Sequence, residues 1–327
     1  MKPKISDVAK LAGVSPTTVS RILNNRGYIG EETRQKVYEA MEELNYVPND
    51  LARALYNKKT FLIGVIVPTT AKPFFGQLVS SIEHHLEKSG YRMMLCNNQN
   101  RVDKEKDYIK MLQRNQVDGI IIGTHNDVGL NYNDLTLPIV SIDRNLSKTI
   151  PVITSDNYEG GKKATEYLLE QGCKKIIHVH PKLSDKIQTP LRRRGEAYRD
   201  TMAANNHIPM YYEMNILGNQ QHLKYAVHEF FNAHPEVDGV FASDDLLAAA
   251  LLSEATKRGI HVPDDLRVVG YDGTEIIRLC LPALPTVKQP IELIAETAIT
   301  TLLSLINEEK RFIDSEIILP IEFFRNS

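Results

Sequence analysis

Cysteine is scarce. The chain has three in 327 residues, Cys96, Cys173 and Cys280, widely spaced and without a C-x-x-C pair. An odd, scattered set excludes a disulfide framework and offers no zinc-ligand spacing. Long apolar runs are missing too. No stretch reaches the roughly 18 apolar residues of a membrane span, and the opening MKPKISDVAK lacks the apolar stretch of a secretory signal. A soluble, cytoplasmic protein with no membrane partner is expected. Catalytic signatures are equally thin. No G-x-G-x-x-G follows a candidate strand, and neither G-x-x-x-x-G-K-[ST] nor G-x-S-x-G occurs. His178 and His180, two apart on one strand face, can hold a metal, but no carboxylate or thiol pattern joins them; a pair of strand surface residues is the expectation. His84 and His85 read as a solvated helical pair. No enzyme activity, cofactor or metal is expected.

Net charge is nearly absent, at −2, yet it is unevenly spread. Residues 1–60 carry 10 Lys+Arg against 7 Asp+Glu, leaving 29 against 34 for the remainder. Residues 1–30 hold five basic side chains and one acid, Asp7. A small basic head on a larger acidic body suggests nucleic acid at one end and a different ligand at the other. Hydrophobic residues at 42% and charged residues at 24% are ordinary for a globular chain, and the length favours more than one domain.

The first 46 residues read as three short helices. Ile5, Val8, Leu11 and Ala12 recur at helical spacing until Gly13. Ser15 then stands as an N-cap before Pro16 at the first helical position, and Val19, Ile22 and Leu23 give that helix its inner face. A third helix starts near Glu31, buries Val37, Ala40, Met41 and Leu44, and stops before Pro48. Helix, glycine turn, helix and third helix is either an ordinary three-helix domain or a helix-turn-helix unit. In the second case Pro16, Thr17, Ser20 and Arg21 face outward, offering hydroxyls and a guanidinium to base edges. Residues 48–55 repeat an apolar pattern in a segment too short and polar to be a stable helix alone.

Beyond Thr60 the texture changes. Apolar runs of strand length (61–68, 91–97, 118–123, 138–143, 152–156, 174–180, 211–216, 238–244 and 267–272) alternate mostly with amphipathic helical stretches. The latter lie near 74–89, 103–114, from Asn157, 190–205, 220–233 and 246–258. Strands apolar on both faces and separated by helices specify a parallel sheet with helices on both sides. The restart near Asn157 suggests two such lobes, with ligands expected at the carboxyl ends of the strands. Those ends carry Phe74 and Phe75 after the first strand, Asp143 and Arg144, Asp156, Ser243 and Asp244, and Asp272. Arg192 opens the RRRGEA helix. Carboxylates and arginine suit sugar hydroxyls, although each acid taken singly can equally be a helix cap or turn residue.

DVAKLAGVSPTTVSRILN (7–24) followed by ETRQKVYEAMEELNYVPNDLARAL (32–55) resembles the lactose-repressor family of bacterial regulators. The likeness runs through the whole chain. Within the family it is nearest to sucrose-operon repressors, on GYDGTE (270–275), SDNYEGG (155–161) and the head. The resemblance implies an all-α head with a hinge helix (1–59) and a two-lobed, doubly wound α/β core (60–327) of the periplasmic-binding-protein kind. It implies a homodimer on a near-palindromic operator, and the chain shows no leucine heptads that would suggest a tetramer. DNA contacts are expected from Ser6, Ser15, Pro16, Thr17, Ser20, Arg21 and Asn24. In the hinge they fall to Asn49, Arg53 and Leu55, with Leu55 as a minor-groove wedge or, failing that, a buried linker residue. Effector contacts are expected from Phe74 or Phe75, Asp143, Arg144, Arg192, Ser243, Asp244 and Asp272. The family's arginine is assigned to Arg192, three before Gly195. Lobe crossings are expected near 158–162, 286–292 and 317–321.

The expected function is a sugar- or sugar-phosphate-responsive repressor of sucrose or fructose utilisation genes. The alternatives are a catabolite-control regulator whose corepressor is a phosphorylated carrier protein and, from another class, a sugar-binding transport protein.

Overall fold

The helical periodicity of the first 46 residues closes into a small apolar core. The computed structural model describes residues 3–23, 26–47, 59–114, 116–126, 129, 131–182, 189–214, 220–308 and 314–325. Asn24, Asn49, Arg53 and Leu55 lie outside that set, as does Lys58. The chain divides into two compact units, Met1–Phe61 and Leu62–Ser327. In the first, α1 (Ile5–Leu11), α2 (Pro16–Leu23) and α3 (Glu31–Glu43) bury Val8, Val19 and Val37 completely, with Ala9, Ile22 and Ala40 around them. Each of these valines contributes about 1.5–3 kcal/mol by leaving water. Gly13 makes the α1–α2 turn at φ +68°, a conformation that side chains with a Cβ rarely adopt. Ser15 Oγ accepts from the Thr18 amide at 3.1 Å, so the cap and Pro16 together fix where α2 begins.

The second unit holds two six-stranded sheets. One orders its strands β11-β5-β4-β3-β1-β2, all parallel. These are β1 (Leu62–Val67), β2 (Arg92–Asn97), β3 (Gly119–Ile122), β4 (Ile139–Ile142), β5 (Val152–Ser155) and β11 (Glu316–Leu319). The other runs β12-β10-β9-β8-β6-β7, with only the β12–β10 pair antiparallel. Its strands are β6 (Ile176–Pro181), β7 (Met210–Met214), β8 (Gly239–Ala242), β9 (Arg267–Asp272), β10 (Thr286–Lys288) and β12 (Glu322–Phe324).

Alternation along each strand feeds two cores per sheet. Ile63, Val65 and Val67 pack with α4 (Pro73–Lys88) and α11 (Ile291–Ile306), whereas Ile66, Ile120 and Ile122 pack with α5 (Val102–Arg114). Gly64 lets α5 approach: a Cβ there would sit 2.6 Å from Leu112 Cδ1. In the second sheet Ile177, Val179, Val240 and Val268 face α8 (Gln220–Ala233) and α9 (Asp245–Lys257). Ile176, Phe241, Val269 and Tyr271 face α6 (Asn157–Glu170) and α7 (Pro190–Ala204). A short α10 (Glu275–Cys280) follows β9.

The chain passes between lobes at Asp156, at Gln289–Pro290 and at Pro320–Ile321. The first crossing falls earlier than 158–162 because α6, already in the second lobe, starts at Asn157. Asp156 caps that helix, its carboxylate accepting from the Glu159 amide at 2.9 Å. The carboxyl ends of β4, β5, β8 and β9 carry the polar groups of the site.

Candidate functional site

In the head, the inner face of α2 is committed to the core, which leaves Pro16, Thr17 and Arg21 exposed and Ser20 half-buried. With Ile5, Arg26 and Gly27 they border a concavity of about 800 Å³. Ser6 is exposed on α1, and Ser15 is engaged as the α2 cap. Arg26 was not among the expected contacts; it enters this face through the turn at Gly27, where φ is +71°.

Between the two sheets, the first strand–helix loop meets the second lobe directly. Lys72 Nζ lies 3.1 Å from Asp244 Oδ2, and the Glu275 amide donates to Gln77 Oε1 at 3.0 Å. Asp244 also caps α9, accepting from the Leu247 amide at 2.8 Å. At the centre is Arg194 on α7, 4% exposed. Its Nε donates to Asn157 Oδ1 at 2.8 Å, its Nη1 donates to the Ser243 carbonyl at 2.8 Å, and its Cζ stands 3.4 Å from the Tyr271 ring centroid. Asp272 accepts from Gln289 Nε2 at 2.8 Å, and Asp143 accepts from Thr154 Oγ1 at 2.6 Å. Ser155 Oγ donates to Gln289 Oε1 at 2.7 Å, tying two crossings together. Both cleft acids adopt unusual backbone, with φ of +61° at Asp143 and +111° at Asp272. Such strain costs on the order of 1–3 kcal/mol per residue and clusters at functional sites.

The electrostatics follow from enclosure. Burial pushes the Asp272 carboxyl up to about 8, only partly opposed by Arg194. It raises Asp245 to about 7, against hydrogen bonds from Thr286 Oγ1 and the Gly273 amide, and it raises Asp143 as well. Burial, aided by Arg144, holds His125 near 4. Attraction to Asp244 raises Lys72. The void left beside Lys72, Asp244, Asp272 and Thr274 is only about 10 Å³, too small for more than one water. A larger cavity of about 400 Å³ opens alongside, bordered by Asp143, Thr154, Asn157, Thr189 and Arg193. His125 Nε2, Thr189 Oγ1, Ser243 Oγ and Thr274 Oγ1 are buried here without hydrogen-bond partners among the described residues. Native interiors rarely leave such groups unmet, so this concentration marks a place where a hydroxylated ligand would complete the set.

Of the expected effector residues, Asp143, Ser243, Asp244 and Asp272 are brought together. Three expectations are corrected. Phe74 is 6% exposed inside the first-lobe core, with Phe75 half-buried edge-on to it at 5.2 Å, so the Phe74 ring is not among these groups. Arg144 turns its guanidinium to the fully buried Glu105, 3.3 Å away, in a network with Asn98, Thr124, Asn126 and Tyr132. Arg192 borders a separate cavity with His178 and His180, and the arginine among the cleft groups is Arg194. Two helical residues span about 200°, so the choice within RRR decides which side of α7 the cation occupies. Ala197, not Gly195, is the small residue that follows the cleft arginine by three. Asn157, Gln289, Lys72, Asp245 and His125 were also missed as site residues.

Head and core together define a class: a helix-turn-helix reader attached to a two-lobed binding-protein core whose cleft is built for a small polar molecule. Residues 4–49 match the model of bacterial regulatory proteins of the lacI family, and residues 165–325 match a periplasmic binding protein-like domain. The chain belongs to the lacI family. It is 42% identical to a sucrose operon repressor of Pediococcus pentosaceus over 99% of both chains, and 40% identical to that of Streptococcus mutans over 98% of both. Among solved structures, the lac repressor dimer bound to operator and the anti-inducer ONPF superposes with a TM-score of 0.84 at 25% identity, covering 99% of this chain and 98% of that one. The complex of the transcriptional regulator CelR with cellobiose gives 0.71 at 26% identity, covering 99% of each. Among the described residues no helix is long and apolar enough to cross a membrane.

Proposed function

We propose that this lacI-family repressor grips a near-palindromic operator as a cytoplasmic homodimer and that a sugar or sugar phosphate in the interlobe cleft changes that grip. The observation that carries this reading is Arg194, stacked on Tyr271 and flanked by Asp272, Asp143 and buried hydroxyls that lack partners among the described residues. A guanidinium donates to ring or hydroxyl oxygens, the carboxylates accept from hydroxyls, and the ligand supplies both in one molecule. Asp244, whose partner Lys72 comes from the other lobe, is the natural reporter of lobe closure. Sucrose, fructose or a phosphate of either is the proposed ligand class, supported by the full-length likeness to sucrose operon repressors.

On the DNA side, Arg21, Thr17, Pro16 and Ser20 are proposed to meet base edges, and Ser6 the backbone. Asn24, Asn49, Arg53 and Leu55 complete the proposed interface on the strength of the family pattern. A thermal-shift screen of sugars and sugar phosphates tests the ligand class. At least one should raise Tm in the wild type and none should do so in Asp272→Ala. A screen without any response, together with a Tm shift on adding a phosphorylated carrier protein, would favour the catabolite-control alternative.

A further inference from the structure

The far side of α7 carries a cavity that the interlobe cleft does not use. It measures about 210 Å³ and lies against the β6–β7 edge, bordered by His178, His180, Arg192, Gly195, Arg199 and Tyr211 and by the Glu196 carboxylate, which Arg193 holds at 3.4 Å. His178 is wholly buried, stacked 4.4 Å from Phe241 and edge-on to Tyr211 at 6.1 Å. Its Nδ1 sits 3.0 Å from the Phe241 carbonyl. A carbonyl only accepts, so Nδ1 carries the proton and Nε2 presents a lone pair. That Nε2 has no hydrogen-bond partner among the described residues. Gly195 uncovers it: a Cβ built there would stand 3.8 Å from Nε2 and 3.9 Å from Tyr211 Cε1. His180 repeats the pattern, its Nδ1 2.8 Å from the Pro181 carbonyl and its ring centroid 5.1 Å from that of His178. No group of three metal-ligating side chains occurs among the described residues.

We propose that this cavity is a second small-molecule site, taking a short hydroxylated anion whose hydroxyl donates to His178 Nε2 and whose charge meets the Arg192 and Arg199 guanidinium groups. Burial holds the His178 imidazole near 3, so it stays an acceptor throughout the physiological range. Arg199 already holds Asp200 through Nε and Nη2, but a guanidinium has five donor hydrogens and keeps others for a ligand. The volume equals roughly seven water molecules, which suits a three-carbon phosphate ester and not a disaccharide. The site stands apart from the cleft proposed for the sugar effector: Arg194 points into that cleft from the other face of α7.

The test is a titration of the full-length protein carrying ring-labelled histidine, read at the Nε2 nitrogen resonance of His178. Glycerol 3-phosphate is the probe, with glycerol and inorganic phosphate alone as the two controls. Glycerol 3-phosphate should shift the resonance saturably. Gly195→Leu, which fills the cavity from a position with room for a Cβ, should abolish the response. His178→Asn, which keeps a donor for the Phe241 carbonyl but removes the acceptor, should weaken binding measured by calorimetry about tenfold. The proposal is overturned if the resonance does not move, if phosphate alone moves it as far as the ester does, or if the shift survives Gly195→Leu.

Discussion

The head and the cleft use the same side-chain types in opposite ways. In the head, Val8, Val19 and Val37 close an apolar core, and the polar groups of α2 look outward. In the cleft, Arg194, Asp272 and Asp245 are turned inward, two of them with carboxyl groups pushed far from their ordinary values. An outward face can lose one side chain without harm to folding, whereas an inward one supports the fold that presents it. Substitutions in the head should therefore change recognition alone, and those in the cleft both recognition and stability.

The largest expected effect is at Arg194. Arg194→Ala leaves the Ser243 carbonyl without its guanidinium donor, leaves Asn157 Oδ1 with the Tyr271 hydroxyl alone and empties the space over the Tyr271 ring, costing ~2–5 kcal/mol of core stability. Chemical denaturation should show that loss, and calorimetry should find no effector binding. A variant as stable as wild type would place Arg194 outside the cluster's energetics.

Arg21→Ala should cost roughly 1–3 kcal/mol at the operator and relax base preference while Tm stays unchanged. Equal weakening on operator and random DNA would make Arg21 a backbone contact.

Asp272 gives a pH signature of defined sign. Its folded value near 8 lies above the ordinary carboxyl value of about 3.9, so the folded state holds the proton more tightly. Its contribution is full below about pH 4 and is lost as pH rises towards 8. Asp272→Asn should therefore flatten the fall in stability of the unliganded protein between pH 5 and 8, and identical slopes would remove Asp272 as the source. The smallest effect is at Ser243, whose Oγ is buried without a partner among the described residues. Ser243→Ala should be neutral or stabilise the unliganded core by up to ~1 kcal/mol while weakening effector binding, opposite signs that a purely structural hydroxyl would not give.

Continuous apolar runs made the strands from Leu62 to Asp272 legible; most are buried on both faces, and only β2 and β7 among them keep clearly exposed positions. The cap at Ser15–Pro16 fixed α2 for a similarly local reason. What escaped was long-range. Helices α10 and α11 and strands β10, β11 and β12 had no assignment as elements, and β11 finds its partner β5 across about 160 residues. The cleft acids stood out by their place at strand ends. Arg194 did not, since three successive arginines are equivalent in sequence and only packing against α6 selects one. There a Cβ on Gly161 would lie 2.6 Å from the Arg194 carbonyl. Phe74 was misplaced for the mirror reason: an aromatic in a strand–helix loop serves a ligand or a core equally well until the helix's rotation is known.

The central claim is that the head reads DNA and the cleft decides how well. Anisotropy of a labelled operator, selected from random DNA, measures it directly when titrated with wild type, Arg21→Ala and Asp272→Asn, each with and without the effector found by thermal shift. The account predicts that effector changes wild-type operator affinity by about 5- to 150-fold. Arg21→Ala should start weaker and keep that factor, and Asp272→Asn should start at wild-type affinity and lose it. An effector factor that survives in Asp272→Asn, or vanishes in Arg21→Ala, would contradict the division between the two regions.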